Sequence, residues 1–216
     1  MGKIVAIDGP AGSGKGTVAK ILAAKCNLVY IDTGAMYRAV SYLTLKNNIA
    51  VDDEEKIVEI AKNSKMEFVG DKLFLNGEDV SKEIRTMEVT KIVSQMSSIV
   101  KLREVMVDMQ RALASSNNVI MEGRDITTVV FPNADYKFYL DATIEERAKR
   151  RFKENQEKGI EATYEEIYNN IAARDYNDMH KEVGSLMRTD DQIYVDSTNL
   201  TIDEVVDKMY KIIEGE

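Results

Sequence analysis

Short apolar runs alternate with longer segments of helical periodicity along most of the chain. The apolar runs cover residues 3–8, 28–31, 119–121, 136–140 and 192–195. Strands that alternate with helices in this way are typical of a parallel sheet with helices on both faces. The pattern therefore predicts an α/β fold in which each of these runs is a sheet strand.

Three Thr-x-x-Glu patterns mark predicted helix starts, at residues 143–146, 163–166 and 201–204. In this pattern the threonine side chain caps the helix and the glutamate returns a hydrogen bond to the threonine backbone. We expect a helix to begin after each threonine.

Residues 66–80 interrupt the alternation of strands and helices. Apolar runs at 66–69 and 72–75 flank Gly70 and Asp71, and Asn76-Gly77 is a typical tight-turn sequence. The segment predicts a hairpin, and two interpretations remain open. It is either a small β-rich insert over a substrate cleft or a hairpin without a functional role.

Composition limits the size of the fold and the kind of partner. A chain of 216 residues buries one substantial core and has room for one small inserted subdomain. Its net charge of −8, from 29 basic and 37 acidic residues, argues against nucleic acid as a partner. Any anionic ligand must therefore meet a local cluster of basic side chains.

Cellular location is predicted from three features. Cys26 is the single cysteine, which excludes an internal disulfide and favours a reducing compartment. The N-terminus enters a predicted strand without a secretory signal pattern, and no apolar run approaches the roughly 18 residues of a membrane span. We expect a cytoplasmic protein that does not contact membranes.

The segment after the first predicted strand has the spacing of a P-loop. Its residues are Gly9, Pro10, Ala11, Gly12, Ser13, Gly14, Lys15, Gly16 and Thr17. Glycines let backbone N–H groups converge on phosphate oxygens, and the lysine reaches the β- and γ-phosphates. The position after Lys15 is usually Ser or Thr, but here it is Gly16 and the hydroxyl follows at Thr17. The alternative interpretation is a glycine-rich turn that binds nothing.

Charged residues follow two further predicted strands. Tyr37 and Arg38 lie on a predicted helix after the second strand, and Glu122, Arg124 and Asp125 follow the strand at 119–121. Ligands of open α/β sheets bind at the carboxyl ends of the strands. Arginine suits bidentate phosphate contact, and Glu122 resembles a Walker-B acid that binds magnesium through water. The alternatives are a surface arginine at 38 and an ion pair between Arg124 and Asp125.

Two predicted helices carry further candidates. Arg147, Arg150 and Arg151 share one helix face, which either meets a triphosphate or is solvated surface. The helix after residue 163 has an apolar stripe formed by Tyr164, Ile167, Tyr168 and Ile171. Steps of three and four continue that stripe to Arg174, Asp178 and Lys181. Because charged residues continue an apolar, inward-facing stripe, this part of the helix is predicted to border a cleft. The alternative is an ion pair between Arg174 and Asp178, four residues apart on the helix surface. With one histidine and one cysteine, a zinc site is not expected.

Together these motifs resemble the bacterial cytidylate kinase family, nearly from end to end. The resemblance rests on residues 9–17, residues 32–38, residues 77–81 with 84–86, residues 123–125 before 128–132, and Arg174-Asp175 with Asp178. It implies a single P-loop kinase domain over residues 1–216. The implied core covers about 1–63 and 86–216, with a β-rich insert at about 64–85 and a lid at about 147–163.

The implied reaction transfers the γ-phosphoryl group of ATP to CMP or dCMP with Mg²⁺, and a monomer is the expectation. By resemblance, Lys15, the P-loop amides and Arg150 hold ATP, while Thr17 and, through water, Glu122 lie on the metal side. The acceptor would be held by Thr33, Tyr37, Arg38, Ser94, Arg103, Arg124, Asp125, Arg174 and Asp178. Of these, Ser94, Arg103 and Asp125 would contact cytosine, and Arg174 and Asp178 the ribose. The implied catalytic set is Lys15, Arg124, Arg147, Arg151 and Lys181.

Two positions depart from the family pattern: Lys181 replaces an arginine, and Thr127 replaces a glycine. Other functions remain as alternatives. A guanine-nucleotide switch is disfavoured, because neither Asp-x-x-Gly nor Asn/Thr-Lys-x-Asp occurs in the chain. A nucleotide-binding module without transfer activity leaves the additional arginines unexplained. A kinase for uridylate, adenylate or a small metabolite stays open on the motifs alone.

Overall fold

The protein is described here by a computed structural model, which describes residues 2–157 and 159–215. Met1 and Glu216, at the ends of the predicted domain, and Lys158, within the predicted lid, lie outside the described residues. In the described ranges the strands are β1 Ile4–Asp8, β2 Val29–Asp32, β3 Met66–Val69, β4 Lys72–Leu75, β5 Glu78–Asp79, β6 Val119–Gly123, β7 Tyr136–Asp141 and β8 Ile193–Asp196. The helices are α1 Lys15–Lys25, α2 Thr33–Lys46, α3 Glu54–Lys62, α4 Met87–Met96, α5 Val100–Ala114, α6 Ile144–Glu157, α7 Tyr164–Met179 and α8 Ile202–Glu214.

Five strands form a parallel sheet in the order β2-β6-β1-β7-β8. This confirms the predicted fold class, with strand ends shifted by one or two residues. The register places Asp32 beside Glu122 and Asp8 beside Gly123. Because all five strands run the same way, the polar residues at their carboxyl ends meet along one edge of the sheet.

Apolar side chains cover both faces of the sheet. On one face, Met36 and Val40 of α2 and Leu102 of α5 belong to one apolar cluster with residues of β6. On the other, Leu22 of α1 and Met209 of α8 pack with residues of β1 and β7. Strands buried on both sides explain why they read as continuous apolar runs in the sequence. No helix in the described ranges combines the length and apolar character that crossing a bilayer requires.

The predicted hairpin is present, with a third short strand. Strands β3, β4 and β5 form an antiparallel sheet, in which Asn76 (φ 52°) and Gly77 (φ 87°) make the turn between β4 and β5. Its residues Met66, Leu73 and Leu75 belong to the same apolar cluster as α2 and α3. The small sheet therefore shares the main core. The predicted boundary of the insert, at about residue 64, stays a prediction, because one apolar core includes residues on both sides of it.

The three Thr-x-x-Glu patterns open α6, α7 and α8, as predicted. Thr163 with Glu166 and Thr201 with Glu204 form complete capping boxes. Thr143 caps the Glu146 amide at 3.3 Å, but its own amide donates to Thr198 Oγ1. Glu146 is thus left to pair with Arg150, at 3.1 Å.

Candidate active site

A cavity of about 400 Å³ opens at the carboxyl edge of the sheet. The P-loop, the start of α2, the end of β6, and residues of α4, α5, α6 and α7 contribute its walls. Basic side chains outnumber acidic ones two to one in this lining, eight against four, although the whole chain carries a net charge of −8. The net negative charge of the chain predicted that an anionic ligand would need a local cluster of basic side chains, and this cavity contains one.

Most of the predicted site residues line this cavity. They are Ala11, Gly12, Gly14, Lys15, Gly16, Thr17, Thr33, Tyr37, Arg38, Ser94, Arg103, Glu122, Arg124, Asp125, Arg151, Arg174, Asp178 and Lys181. Five predicted residues do not line it: Gly9, Pro10, Ser13, Arg147 and Arg150. The structure thus brings together side chains from separate parts of the chain.

Lys15 lies at the start of α1, where the P-loop turns into the helix. Its ammonium group is buried and donates hydrogen bonds to the Pro10 carbonyl at 2.8 Å and to Ser13 Oγ at 3.4 Å. Burial and the nearby positive charge of Arg124 lower the pKa of Lys15 to about 7. A bound polyanion would favour the charged form again.

Gly16 packs closely against the side chains of Glu122 and Tyr30. A Cβ atom at this position would lie 3.1 Å from Glu122 Oε1 and 3.4 Å from the Tyr30 hydroxyl. The Tyr30 hydroxyl donates to the same carboxylate oxygen at 3.2 Å. A serine or threonine at this position would therefore be in tight contact, and the Glu122 carboxylate would have to shift by a few tenths of an ångström to admit it.

Oxygen donors at this end of the cavity fit a magnesium ion. Glu122 and Asp32 lie side by side near the carboxyl ends of adjacent parallel strands, and Thr17 lines the same cavity. Burial and the charge of Asp32 raise the pKa of Glu122, as expected of two carboxyl groups that share a site. Among the described residues no cluster of three His, Cys, Asp or Glu ligands occurs. The oxygens of Glu122, Asp32 and Thr17 are of the kind that Mg²⁺ prefers, and this ion needs few protein ligands because it keeps several waters and binds substrate phosphates.

Several arginines line the cavity and lower one another's pKa. Burial lowers the pKa of Arg38, and the positive charges of Arg174 and Arg85 lower it further. Burial and Arg124 have the same effect on the pKa of Arg174. Cations that repel each other in one cavity are stabilised when an anion binds between them.

Asp178 organises the cationic end of α7. It accepts hydrogen bonds from Arg124 Nε at 2.8 Å and from Lys181 Nζ at 3.0 Å. Burial alone would raise its pKa, but Arg124 and Lys181 lower the pKa of Asp178 to about 2. Asp178 therefore pairs with these two residues rather than with Arg174. Arg174 lines the cavity.

A second buried ion pair joins Arg103 of α5 to Asp125. Their side chains are only 6% and 9% exposed. Arg103 also donates to the Ser97 carbonyl at 3.0 Å, and its guanidinium lies 5.7 Å from the centre of the Tyr37 ring. Asp125 thus pairs with Arg103 and not with Arg124, the alternative that the sequence left open.

The three arginines of α6 have different surroundings. Arg151 lines the cavity, where it pairs with Glu154 at 2.8 Å. Arg150 pairs with Glu146 and donates to the Ser197 carbonyl at 2.5 Å. Arg147 is buried, and it donates to the carbonyls of Ala11 and Ala142, at 3.0 and 2.9 Å, and pairs with Asp175 at 2.7 Å. Arg147 therefore supports the P-loop from behind the cavity.

Thr127, a departure from the family pattern, lies away from the cavity surface. It is fully buried, and its amide and hydroxyl donate to Asp8 Oδ2 at 2.8 and 2.6 Å. The Gln192 side chain donates to the same hydroxyl. Thr127 thus joins β1 to the segment before β8. The other departure, Lys181, donates to Ser97 Oγ at 2.9 Å and keeps a positive charge in the lining.

Sequence reasoning gave no role to several residues that build the site. Arg85, Asp32 and Ser97 line the cavity, and Arg85 lies 3.5 Å from Asp32. Asp175 is buried against Arg147. Arg85 and Asp175 both lie inside motifs that supported the family resemblance, so their motif positions were the available signal.

Comparison with known proteins decides the identity. The family model described as cytidylate kinase matches residues 5–215. The chain belongs to the cytidylate kinase family. Membership confirms the resemblance drawn from the motifs, and with it the prediction of an ATP-dependent kinase for CMP.

Curated cytidylate kinases resemble this family member over nearly their whole length. That of Lactobacillus johnsonii is 49% identical and that of Caldanaerobacter subterraneus subsp. tengcongensis 48% identical; each comparison covers 97% of this chain and 93% of the relative. The cytidylate kinase of Enterococcus faecalis is 48% identical, covering 99% of this chain and 97% of its own.

Solved structures share the fold at low sequence identity. An uncharacterized protein from Eubacterium ventriosum has a TM-score of 0.55 at 14% identity, covering 99% of both chains. Shikimate kinase from Bacteroides thetaiotaomicron has a TM-score of 0.51 at 14% identity, covering 98% of both chains. These likenesses support the P-loop kinase architecture of this cytidylate kinase family member.

Proposed function

We propose that the cavity at the sheet edge holds ATP and the acceptor nucleotide together during transfer. The reaction is that of the family, in which the γ-phosphoryl group of ATP moves to CMP. The observation that carries the proposal is the group of three arginines, Arg38, Arg124 and Arg174, in the same cavity as the P-loop lysine. Within this group, repulsion acts between Arg174 and each of the other two. A second anion beside the triphosphate is what such a group would bind.

At the ATP end, we assign the phosphates to the P-loop amides and Lys15, with Arg151 approaching from α6. The N-terminus of α1 adds a favourable dipole for anions. Arg147 is assigned a supporting role, because its guanidinium already binds the Ala11 carbonyl and Asp175. Arg150, hydrogen-bonded at Ser197, would contact the nucleotide outside the described cavity lining.

At the acceptor end, Tyr37, Arg38 and Arg124 would hold the CMP phosphate, and Arg174 with Asp178 the ribose. Cytosine would meet Ser94 and the Arg103–Asp125 pair. The exocyclic amino group of cytosine is a hydrogen-bond donor that the Asp125 carboxylate would accept. Thr33 lies at the start of α2, where its hydroxyl donates to the Glu122 carbonyl at 2.8 Å. We assign it to positioning that strand end.

Transfer of the phosphoryl group then depends more on how the two nucleotides are positioned than on acid–base catalysis. The acceptor phosphate oxygen is already a nucleophile at neutral pH, so no general base is assigned. Lys15, Arg124 and Lys181 would neutralise charge that develops between the two nucleotides, and holding both in line supplies most of the rate enhancement. Thr17 and, through water, Glu122 would hold Mg²⁺, and the metal would supply positive charge to offset that of the phosphates.

We further propose that dCMP is also an acceptor, that the protein is a monomer, and that it works in the cytoplasm with the nucleotide pool. Light scattering of the purified protein checks the oligomeric state, and a dimer would contradict it.

The deciding experiment compares kcat/KM for CMP, dCMP, UMP and AMP with ATP held at saturation. We expect CMP and dCMP to exceed UMP and AMP, because the Arg103–Asp125 pair complements cytosine. Asp125→Ala should relax this preference, whereas Lys15→Ala should lower the rate with every acceptor alike. Preference for AMP, or equal discrimination in the two variants, would refute the assignment of the base site.

A further inference from the structure

The loop that follows α7, residues 180–186, contacts the end of that helix at two points. Lys181 enters the cavity lining from this loop, and the Leu186 amide donates to the Asp178 carbonyl at 2.7 Å. Leu186 is itself buried, 3% exposed. The loop between these two residues is therefore anchored at both ends to Asp178 of α7.

Gly184, between those anchors, lies directly against the Arg103–Asp125 pair. A Cβ atom there would be 1.8 Å from Arg103 Nη2 and 2.4 Å from Asp125 Oδ2. Its φ of +67° is also in the left-handed region that favours glycine. The backbone of the loop thus approaches the ion pair more closely than any residue with a side chain allows.

The ion pair has little freedom to yield to a larger residue. Both side chains are more than nine-tenths buried. Arg103 is held by the Ser97 carbonyl and by the face of Tyr37. A side chain at position 184 must therefore turn the guanidinium and carboxylate away from their present orientation or lift the loop off them.

We infer that Gly184 is a positioning residue for base selection: it holds the Arg103–Asp125 pair in the one orientation that selects cytosine over uracil. Gly184 does not line the cavity, so it acts through the pair and not on the nucleotide. This inference rests on the proposed assignment of the pair to the base. Uracil presents an acceptor where cytosine presents an amino donor, so a carboxylate held rigidly discriminates between them and a displaced one does not.

The test measures kcat/KM for CMP and for UMP in Gly184→Ala. We expect the CMP:UMP ratio to fall about tenfold, the equivalent of one hydrogen bond in discrimination. The fall should come mainly from a higher KM for CMP, with the KM for ATP within about twofold of the unaltered protein. An unchanged ratio in a folded variant would overturn the inference.

Gly70→Ala is the matched control. Gly70 has nearly the same φ, +63°, and no atom lies within 4 Å of a Cβ placed there. The control therefore adds the backbone strain of alanine without the contact, and its CMP:UMP ratio should be unchanged. Gly184→Asn adds a second check, because asparagine tolerates positive φ but keeps the contact. We expect it to lower the ratio as alanine does; if the ratio recovers, strain and not contact is responsible and the inference fails.

Combination with Asp125→Asn separates the inference from the base assignment. If Gly184 acts through the pair, the double variant discriminates no worse than Asp125→Asn alone. Additive losses would show that Gly184 acts elsewhere. If Asp125→Asn alone keeps the full preference for CMP, the assignment of the base site is wrong. If it loses that preference while Gly184→Ala keeps it, only the role of Gly184 is refuted.

Discussion

Lys15 and Asp178 are both buried in one cavity, and their protonation differs because of their partners. Burial favours the neutral form of each group. Asp178 stays ionised because Arg124 and Lys181 contact it directly. Lys15 lies against carbonyl and hydroxyl oxygens, and the repulsion from Arg124 adds to the effect of burial. The lysine is therefore poised to gain a proton when negative charge arrives.

Proton uptake on ATP binding follows from this difference. With a pKa of about 7, Lys15 is about nine-tenths neutral at pH 8 in the free protein, and the phosphates return its pKa towards the ordinary range. We expect uptake approaching one proton at pH 8 and about half as much at pH 7. Calorimetric titrations in two buffers of different ionisation enthalpy measure it.

Lys15→Arg serves as the control, since arginine stays charged and should show no uptake. Equal heats of binding in both buffers at pH 8 for the unaltered protein would contradict the low pKa of Lys15.

At the level of elements, Arg147 of α6 connects three parts of the molecule. It binds the Ala11 carbonyl of the P-loop, the Ala142 carbonyl after β7, and Asp175 of α7. Asp175 is the neighbour of Arg174, which lines the cavity. The P-loop and α7 are thus joined through one buried ion pair.

Removing that pair should be costly. Asp175→Ala leaves the Arg147 charge buried without its carboxylate, which typically destabilises a protein by about 3–5 kcal/mol. We expect a loss of this size in urea unfolding. We also expect a higher KM for ATP, since Arg147, which donates to the Ala11 carbonyl, loses the carboxylate that orients it.

Glu146→Ala is the control on the same helix. Its pair with Arg150 is more exposed, 29% and 28%, and such pairs contribute less than about 1 kcal/mol. Similar losses of stability in the two variants would rule out a special role for the buried pair.

Across the whole molecule, apolar packing is unevenly distributed. Large clusters cover the two faces of the sheet, whereas the cluster between α6 and α7 has Ala148, Ile167 and Ile171 as its buried members. Segments with little buried apolar surface open at lower free energy than the core. The α6–α7 unit, which contains most of the predicted lid, is therefore the part best suited to move.

Hydrogen exchange should reveal this unit. We expect the amides of α6 and α7 to exchange faster than those of β1 and β6, and to slow markedly when an ATP analogue and CMP bind together. Mass spectrometry of peptides from residues 144–179 measures the change. Exchange as slow as that of the central strands, with no response to nucleotides, would contradict a mobile lid.

Prediction from the sequence succeeded wherever the signal was local. The five strands, the hairpin and the three capped helix starts depend on residues within a few positions of each other. The spacing of Arg147, Arg150 and Arg151 correctly indicated one helix, yet it did not indicate that Arg147 turns into the protein. That orientation depends on Ala11 and Asp175, which are distant in sequence.

By itself the sequence determined the α/β fold, the P-loop, the family and the edge of the sheet where charged residues gather. Only the tertiary structure decided the pairing of those charges: Asp178 with Arg124 and Lys181, Asp125 with Arg103, and Glu122 beside Gly16. Periodicity and motifs record interactions between near neighbours in the chain. The protonation and orientation of a buried charge depend on which distant groups the packed fold brings within a few ångströms of it.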